Sequence, residues 1–227
     1  MVKYIDVDAV LEKIREHAMN IIGKEVYLPL RNDSDSPYEI RKMKIANIRC
    51  NDIAKESKYG MNSITLDDEF LVKGCLYYDD IGSKVFTDEE NATKAMNGHP
   101  YLIGENGLSP YVVTKDLMDI KDEIMIIHRL AGMLRGQQAI FVVKDESHDK
   151  YQCVVMDLHE ICIFTAATIP GGSYTNDKAA IFLEGKDYIG GTRQQYGEWC
   201  FYNMQKAMDI MYQKNSELME KKRKESE

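Results

Sequence analysis

Apolar residues recur at intervals of three and four in three stretches of the chain, and this spacing predicts three long helices. The first covers residues 6–22, with Asp6 as the candidate N-cap and Gly23 just after the last turn. The second covers residues 114–134, and its two apolar lines are typical of a deeply buried helix. The third covers about residues 195–222.

Between these helices, short runs rich in β-branched and aromatic residues predict strands. In the first half of the chain they cover residues 26–28, 38–49 and 70–78, with a short return strand at 85–86. In the second half they cover residues 139–143, 151–156, 161–164 and 179–183. Because these later strands follow one another without helices between them, the pattern predicts an antiparallel sheet and an α+β fold, not a parallel Rossmann sheet.

The 227 residues divide into two modules in this interpretation. Residues 1–98 form a small helix-plus-β module, and a polar stretch rich in glycine and asparagine follows it. Residues 99–227 form a larger module, in which an antiparallel sheet is packed by the helices at 114–134 and 195–222. A chain of this length can bury a substantial core, whether it folds as one large domain or as two small ones.

A short helix with its own start signal closes the first module. Thr87 and Glu90 have the spacing of a capping box, in which the threonine hydroxyl accepts from the backbone N–H of Glu90. The glutamate reaches back to the backbone N–H of Thr87 in the same motif. Asp88 and Glu89 add negative charge to the first turn, where the helix dipole favours it. Gly98 marks the predicted end of the helix.

The same segment carries a resemblance to a known family. Residues 80–92 read D-I-G-S-K-V-F-T-D-E-E-N-A, and residues 4–11 read Y-I-D-V-D-A-V-L. They resemble a small uncharacterised domain common in phages and integrated mobile elements of Firmicutes, and the likeness covers about the first 98 residues. The chain departs from the family pattern around Ser83 and Lys84, by a missing residue before Thr87, and at Asn91. The resemblance implies a genomic origin, but the family offers no functional residue to carry over.

Composition narrows the function classes. Hydrophobic residues make up 44% of the chain and charged residues 29%, with a net charge of −8. Because proteins that track phosphates normally carry a basic stripe, this acidity argues against direct nucleic-acid binding. The five cysteines are widely spaced with no C-x-x-C pair, so the sequence predicts no metal site and no cofactor. The absence of a secretory signal and of a long apolar run predicts a cytoplasmic protein without a membrane span.

Two glycine turns are the strongest candidate ligand site, because glycine lets backbone N–H groups converge on an anion. The second turn precedes the predicted last helix, so Thr192 can cap that helix and Arg193 can contact a phosphate. The candidate ligand-binding residues are Gly171, Gly172, Gly190, Gly191, Thr192 and Arg193. The alternative is that both turns are simply tight connections.

Two further groups of residues could bind a metal or take part in catalysis, but a structural role explains each of them more simply. Asp157, His159 and Glu160 can bind a metal or act as acid and base. A polar turn between strands ending at 156 and starting at 161 explains the same residues. Cys162 and Cys200 are candidate nucleophiles, yet their apolar neighbours predict buried, unreactive thiols. The sequence therefore assigns no catalytic residue.

Methionines follow a heptad-like spacing along the last predicted helix. The candidate partner-binding residues are Met204, Met208, Met211 and Leu218, with Asn215 in one of the apolar positions. Methionine adapts to irregular partners, and an asparagine in such a seam can set register. The seam predicts a surface for a partner or a homodimer. Packing against the protein's own sheet is the alternative.

The leading functional hypothesis combines the resemblance with this lack of catalytic groups. We expect an accessory protein of a phage or mobile element that binds and modulates a host protein without catalysis. The resemblance implies that the host protein is a CRISPR effector or another defence component. The alternative is a nucleotide or signalling-molecule binding protein, or a hydrolase, that uses the glycine turns.

Overall fold

The computed structural model describes residues 5–30, 36–51, 53, 61–66, 76–98, 114–164, 179–186 and 191–226. Over these residues the chain forms four helices and one sheet of nine strands, whose pairings are antiparallel. The predicted α+β fold is therefore confirmed.

The first helix and strands follow the predicted pattern. Helix α1 spans Val7–Met19, and the Asp6 carboxylate caps it by accepting a hydrogen bond from the Ala9 backbone N–H at 3.1 Å. Four strands follow: β1 at Glu25–Leu30, β2 at Glu39–Asn51, β3 at Met61–Leu66 and β4 at Leu76–Tyr77. The polar stretch after residue 51 thus leads into a strand that the sequence pattern did not predict.

Helix α2 spans Glu89–Gly98 and begins one residue later than the capping box requires. Asp88 Oδ1 accepts a hydrogen bond from the Asn91 backbone N–H at 2.8 Å, so Asp88 is the N-cap. Thr87 Oγ1 lies 3.2 Å from Thr114 Oγ1 instead. The predicted capping box is wrong, because the threonine hydroxyl has a tertiary partner and the next carboxylate caps the helix.

Helix α3 spans Lys115–Met133, which confirms the helix predicted over 114–134. Its predicted deep burial is only partly right, because the line through Leu117, Ile120 and Ile124 is buried, whereas Met133 of the second apolar line is 49% exposed. Thr114 caps it by accepting from the Leu117 backbone N–H at 3.3 Å. The helix packs beside α1, and His17 Nδ1 lies 2.6 Å from Glu123 Oε2 across that contact.

The second half contains more strand and less helix than predicted. Strands β5, β6, β7, β8 and β9 span Gln138–Asp145, Lys150–Phe164, Ala180–Lys186, Gly191–Gln195 and Cys200–Phe201. Helix α4 spans Met204–Glu225, and Asn203 Oδ1 caps it by accepting from the Lys206 backbone N–H at 3.1 Å. The prediction of helix from residue 195 is wrong, since this segment pairs with β7 and β5 and becomes strand.

The predicted polar turn at 157–160 is also wrong. These residues lie inside β6, where Asp157 pairs with Gln138 on one side and with Lys186 on the other. The pairing with β7 shifts register between Leu158 and Glu160, which is a bulge and not a chain reversal. Asp157 stays in the strand because strands on both sides pair with it, and the bulge residue His159 accepts a hydrogen bond at its carbonyl from the Ile53 backbone N–H at 3.1 Å.

Strand β6 joins the two halves of the chain into one sheet. Its first part pairs with β5, and its second part pairs with β7 on one side and β2 on the other. The main hydrophobic core includes residues of α1, β2, α3, β6 and β7. Residues 1–98 and 99–227 therefore contribute to the same sheet and the same core.

The later strands curl strongly. They are ordered β9-β5-β6-β7-β8, yet only residues 196–199 connect the two edge strands β8 and β9. So short a link brings opposite edges together, as in a small barrel.

Alternation along β5 places Ala139 and Phe141 in the main core with α1 and α3, while Ile140 and Val142 face the outside and pack with Ala207 of α4.

Candidate functional site

Side chains on the outer face of the sheet, opposite α1 and α3, form two rows across the strands. Paired residues point to the same face, and their neighbours Ile161 and Leu183 point into the main core. The first row crosses β2, β6, β7 and β8 and consists of Arg49, Cys162, Phe182 and Gln195. The second row crosses β6, β7 and β8 and consists of Glu160, Glu184 and Arg193.

An ion-pair network connects the two rows. Glu160 Oε1 accepts hydrogen bonds from Arg49 Nε at 2.7 Å and from Cys162 Sγ at 2.6 Å. Arg193 Nη2 donates to Glu160 Oε1 at 3.2 Å and to Glu184 Oε2 at 2.8 Å. Because two arginines face two glutamates, the network is balanced in charge. It links four strands and fixes the position of Arg193.

The network shifts the pKa values of its members. Burial raises the pKa of Glu160, but the hydrogen bonds from Arg49 and Cys162 and the arginine charges outweigh it and hold the pKa below its ordinary value. Burial, followed by the charge of Glu160, raises the pKa of the Cys162 thiol. Burial also raises the pKa of Cys200. Both cysteines are fully buried, as predicted, and both thiols stay protonated at neutral pH.

The candidate acid–base residues have separate partners. Asp157 Oδ1 accepts a hydrogen bond from Gln138 Nε2 at 2.9 Å, on the neighbouring strand β5. His159 Nε2 lies 2.7 Å from Lys186 Nζ on β7. Glu160 belongs to the ion-pair network.

The predicted glycine site is only partly described. Gly171, Gly172 and Gly190 lie outside the described residues. Gly191, Thr192 and Arg193 belong to β8, where Thr192 pairs with Gly185. The prediction that Thr192 caps the last helix is therefore wrong, since that helix begins eleven positions after Arg193, at Met204. Arg193 is held by carboxylates instead of facing a helix N-terminus.

Arg193 does, however, line a groove on the outer surface. This seam groove crosses the place where residues 196–199 bring the edges of the curled strands together, and it has a cavity volume of about 410 Å³. One side of the groove is lined by Phe182, Arg193 and Gln195. The other side is lined by Lys144 and Tyr151, and Trp199 lies between the two sides. The groove is open along its length and mostly apolar.

Trp199 is the central residue of the seam groove. Its ring lies 5.7 Å from the Tyr151 ring at an angle of 37°, and Lys214 Nζ lies 5.4 Å from its centroid. Among the contacts of the described residues, none involves its indole N–H. The sequence pattern missed this residue. A single tryptophan in 227 residues was a signal, but only the curl of the sheet shows what surrounds it.

Helix α4 carries a second surface feature. Spacings of four, four and seven residues place its apolar stripe, consisting of Met204, Met208, Tyr212 and Met219, on one flank of the helix. Met204, Tyr212 and Met219 are 46%, 59% and 73% exposed.

The candidate partner-binding residues divide between this stripe and the sheet. Met204 and Met208 belong to the stripe, whereas Met211 packs against the sheet with its Sδ 3.8 Å from Cys153 Sγ, and Leu218 is half-buried. Asn215 faces the hairpin instead of an open seam. Its Oδ1 accepts from the Tyr151 backbone N–H at 2.7 Å, and its Nδ2 donates to the Tyr151 carbonyl at 3.0 Å.

The described part of the chain lacks two further features, a metal-binding cluster and a membrane-spanning helix. Within those residues, no three His, Cys, Asp or Glu side chains gather as metal ligands would. Their helices also include none with the length and apolar character needed to cross a bilayer.

Comparison with known proteins adds no relative. Scans against protein-family models, curated proteins and solved structures all found no match. The resemblance of residues 80–92 to a domain of Firmicutes mobile elements therefore stays a prediction.

Proposed function

We propose that this protein is a non-catalytic accessory protein of a phage or mobile element, which binds and modulates a host protein in the bacterial cytoplasm. A CRISPR effector or another defence component is the host protein that the sequence resemblance favours. The observation that carries the proposal is the apolar stripe on α4, where large side chains lie in solvent along one flank of a well-capped helix.

The stripe has the properties of a protein-binding surface. It runs over the sixteen residues from Met204 to Met219, and their first and last Cα atoms are about 22 Å apart along the helix. Methionine side chains adapt to the shape of a partner, and tyrosine adds rigid contact area. The last turn of α4 is basic, with Lys222, Arg223 and Lys224. The fitting partner is therefore a protein surface with an apolar strip and an acidic patch at one end.

The described catalytic candidates give less support to an enzyme. Cys162 and Cys200 are buried with raised pKa values, and the Glu160 carboxylate is bound by two arginines. The nucleotide alternative retains Arg193, which lines a groove, but without the helix N-terminus that the glycine-turn hypothesis needed.

The test compares the stripe with a matched surface on another helix. The wild-type chain and a Met204→Lys/Met219→Lys variant are immobilised and exposed to host extract and to purified CRISPR effectors. The matched control is Met118→Lys/Met133→Lys on α3, whose methionines are 39% and 49% exposed.

We expect the wild type and the α3 control to retain the same specific host protein, and the stripe variant to lose it. Circular dichroism and thermal unfolding confirm that all three chains are folded. Retention of the same proteins by the stripe variant, or of no specific protein by the wild type, would overturn the proposal.

A further inference from the structure

Methionine is concentrated on the exposed flank of α4. Three of the four side chains of the apolar stripe are methionines, at Met204, Met208 and Met219. Met219 is 73% exposed and Met204 is 46% exposed, so a small oxidant in solution can reach both side chains. By contrast, Met43 and Met156 lie in the main core and are 5% and 8% exposed. The stripe therefore combines a candidate binding surface with accessible, oxidisable sulfur.

Peroxide oxidises such a thioether by transferring one oxygen atom to it. The sulfur lone pair attacks a peroxide oxygen, and a sulfur–oxygen bond forms as the oxygen–oxygen bond breaks. The other oxygen takes up the released proton and leaves as water, so sulfur loses the two electrons that the peroxide gains. The product, methionine sulfoxide, is polar, whereas the thioether is apolar, and sulfoxide reductases reverse the change.

The cysteines of the described residues compete poorly for peroxide. Cys50, Cys162 and Cys200 are buried, and burial raises the pKa of each thiol. Burial also raises the pKa of Cys153, which lies partly exposed under α4. Because the thiolate is the form that reacts with peroxide, protonated thiols react slowly. The exposed methionines are therefore the main sulfur targets among these residues.

Oxidation of the stripe leaves the packing of α4 intact. The helix packs on the sheet through Ala207, Ile210 and Met211. Met204 and Met219 are not among the residues of that small core, and both side chains extend into solvent. A sulfoxide at either position thus removes apolar surface without opening a cavity or burying a polar group. The change acts on the binding surface and not on the fold.

We propose that the apolar stripe is a redox switch, in which peroxide converts Met204 and Met219 to sulfoxides and so releases the partner protein without unfolding the chain. The inference rests on the proposed function, because it needs the stripe to bind a partner. It adds the regulation of that surface. The reduced chain binds, the oxidised chain does not, and a sulfoxide reductase with a thiol reductant restores binding.

The first experiment needs no partner. The full chain is treated with hydrogen peroxide, and mass spectrometry of its peptides follows the oxidation of each methionine. We expect Met204 and Met219 to be oxidised at least about tenfold faster than Met43 and Met156, because oxidation follows exposure. Equal rates at the exposed and the core positions would overturn the inference.

The same treatment tests whether the fold survives. The variant Met204→Leu/Met219→Leu cannot be oxidised at these two positions but undergoes the same oxidation elsewhere. Peroxide should therefore change the thermal unfolding of the wild type and of this variant by the same amount. A larger loss of thermal stability in the wild type would mean that oxidation of the stripe acts through the fold, and the inference would be wrong.

The second experiment measures binding before and after oxidation. Peroxide is removed from the chain by gel filtration, so the partner itself is never oxidised. The host protein that the reduced wild-type chain retains serves as the probe. Oxidation should weaken its binding about tenfold or more, because a polar group replaces an apolar contact in the interface. Treatment with sulfoxide reductases and dithiothreitol should restore the affinity.

Two leucine variants identify the responsible methionines. In Met204→Leu/Met219→Leu the affinity should be the same before and after peroxide, whatever its starting value. In the matched control Met118→Leu/Met133→Leu, peroxide should weaken binding as it does in the wild type, since α3 lies outside the stripe. Protection by the α3 substitutions instead of the stripe substitutions would overturn the inference.

The two proposals fail in different ways. If the reduced wild-type chain retains no specific host protein, the proposed function is wrong and the switch is wrong with it. If the reduced and the oxidised wild-type chains retain a host protein equally, the proposed function stands and only the switch is wrong.

Discussion

Glu160 and Arg49 meet at 2.7 Å between Oε1 and Nε, although 111 positions separate them in the sequence. The contact joins β6 to β2 and so connects the second half of the chain to the first. Arg193 approaches the same carboxylate from β8, two strands away on the other side. One buried carboxylate thus holds residues from three separate parts of the sequence.

Removal of that carboxylate should destabilise the protein. Glu160 is 5% exposed, and Glu160→Ala removes the carboxylate that the Arg49 and Arg193 guanidiniums share, so that Arg193 keeps only its ion pair with Glu184 within the network. We expect a loss of about 3 kcal/mol in the free energy of unfolding, measured by urea denaturation. Glu146→Ala, at an exposed carboxylate, is the control and should change stability by less than about 1 kcal/mol. Equal effects would show that the network adds no stability.

The same carboxylate predicts how stability depends on pH. Its folded pKa lies below the ordinary value of 4.5, so the unfolded chain binds the proton more tightly. The stabilising contribution is present above pH 4.5 and is lost as the pH falls through the lower folded pKa. Urea titrations of the wild type and Glu160→Gln should therefore differ most near neutrality and converge in acid. A difference that is constant with pH would contradict the assignment.

Gly185 should not tolerate a side chain. A Cβ built at this position of β7 would lie 2.5 Å from Phe141 Cε2 and 2.7 Å from Met156 Cβ. Gly185→Ala should cost about 1–3 kcal/mol, because the Phe141 ring cannot move aside in a packed core. Thermal and urea unfolding measure the effect.

A double-mutant cycle identifies the cause. Phe141→Leu removes the ring atoms nearest the new Cβ, so the cost of Gly185→Ala should be smaller in that background. Additive costs would mean that the Phe141 ring does not set the cost, which would then come from the close approach of Met156 Cβ or from the backbone.

Asn215 should anchor the hairpin to α4. Its side chain satisfies both the N–H and the carbonyl of Tyr151, at 2.7 Å and 3.0 Å. Asn215→Ala should cost about 1–3 kcal/mol and should speed hydrogen exchange at the Tyr151 amide. Gln213→Ala, on the exposed side of the same helix, should leave that amide unchanged. Unchanged exchange in the Asn215 variant would show that β5 and β6 are held by other contacts.

Local signals predicted much of the secondary structure. The Asp6 cap, the helix at 114–134 and the hairpin between β5 and β6 depend on neighbouring residues, so the pattern along the chain was sufficient. The errors share one physical origin. Asp157, His159 and Glu160 resemble a turn by composition, but Asp157 pairs with both β5 and β7, Glu160 pairs with β7, and His159 lies at the bulge between Leu158 and Glu160. Tertiary pairing overrode local preference at β8 and β9 as well.

The candidate binding surfaces also depend on tertiary packing that the sequence pattern does not show. The methionine spacing along α4 was visible in the sequence, yet only packing shows that Met211 faces the sheet while Met219 faces solvent. Trp199, Tyr151 and Arg193 could not be associated from the sequence, because the seam groove exists only where the curled edges meet.

The sequence alone determined the fold class, the main helices and the burial of Cys162 and Cys200, because periodicity and capping act over a few residues. The tertiary structure alone decided that both halves share one sheet, that Glu160 meets Arg49, and that the groove lies at Trp199. Those outcomes depend on strand register and on the curl of the sheet, which arise from pairing between residues far apart in the chain.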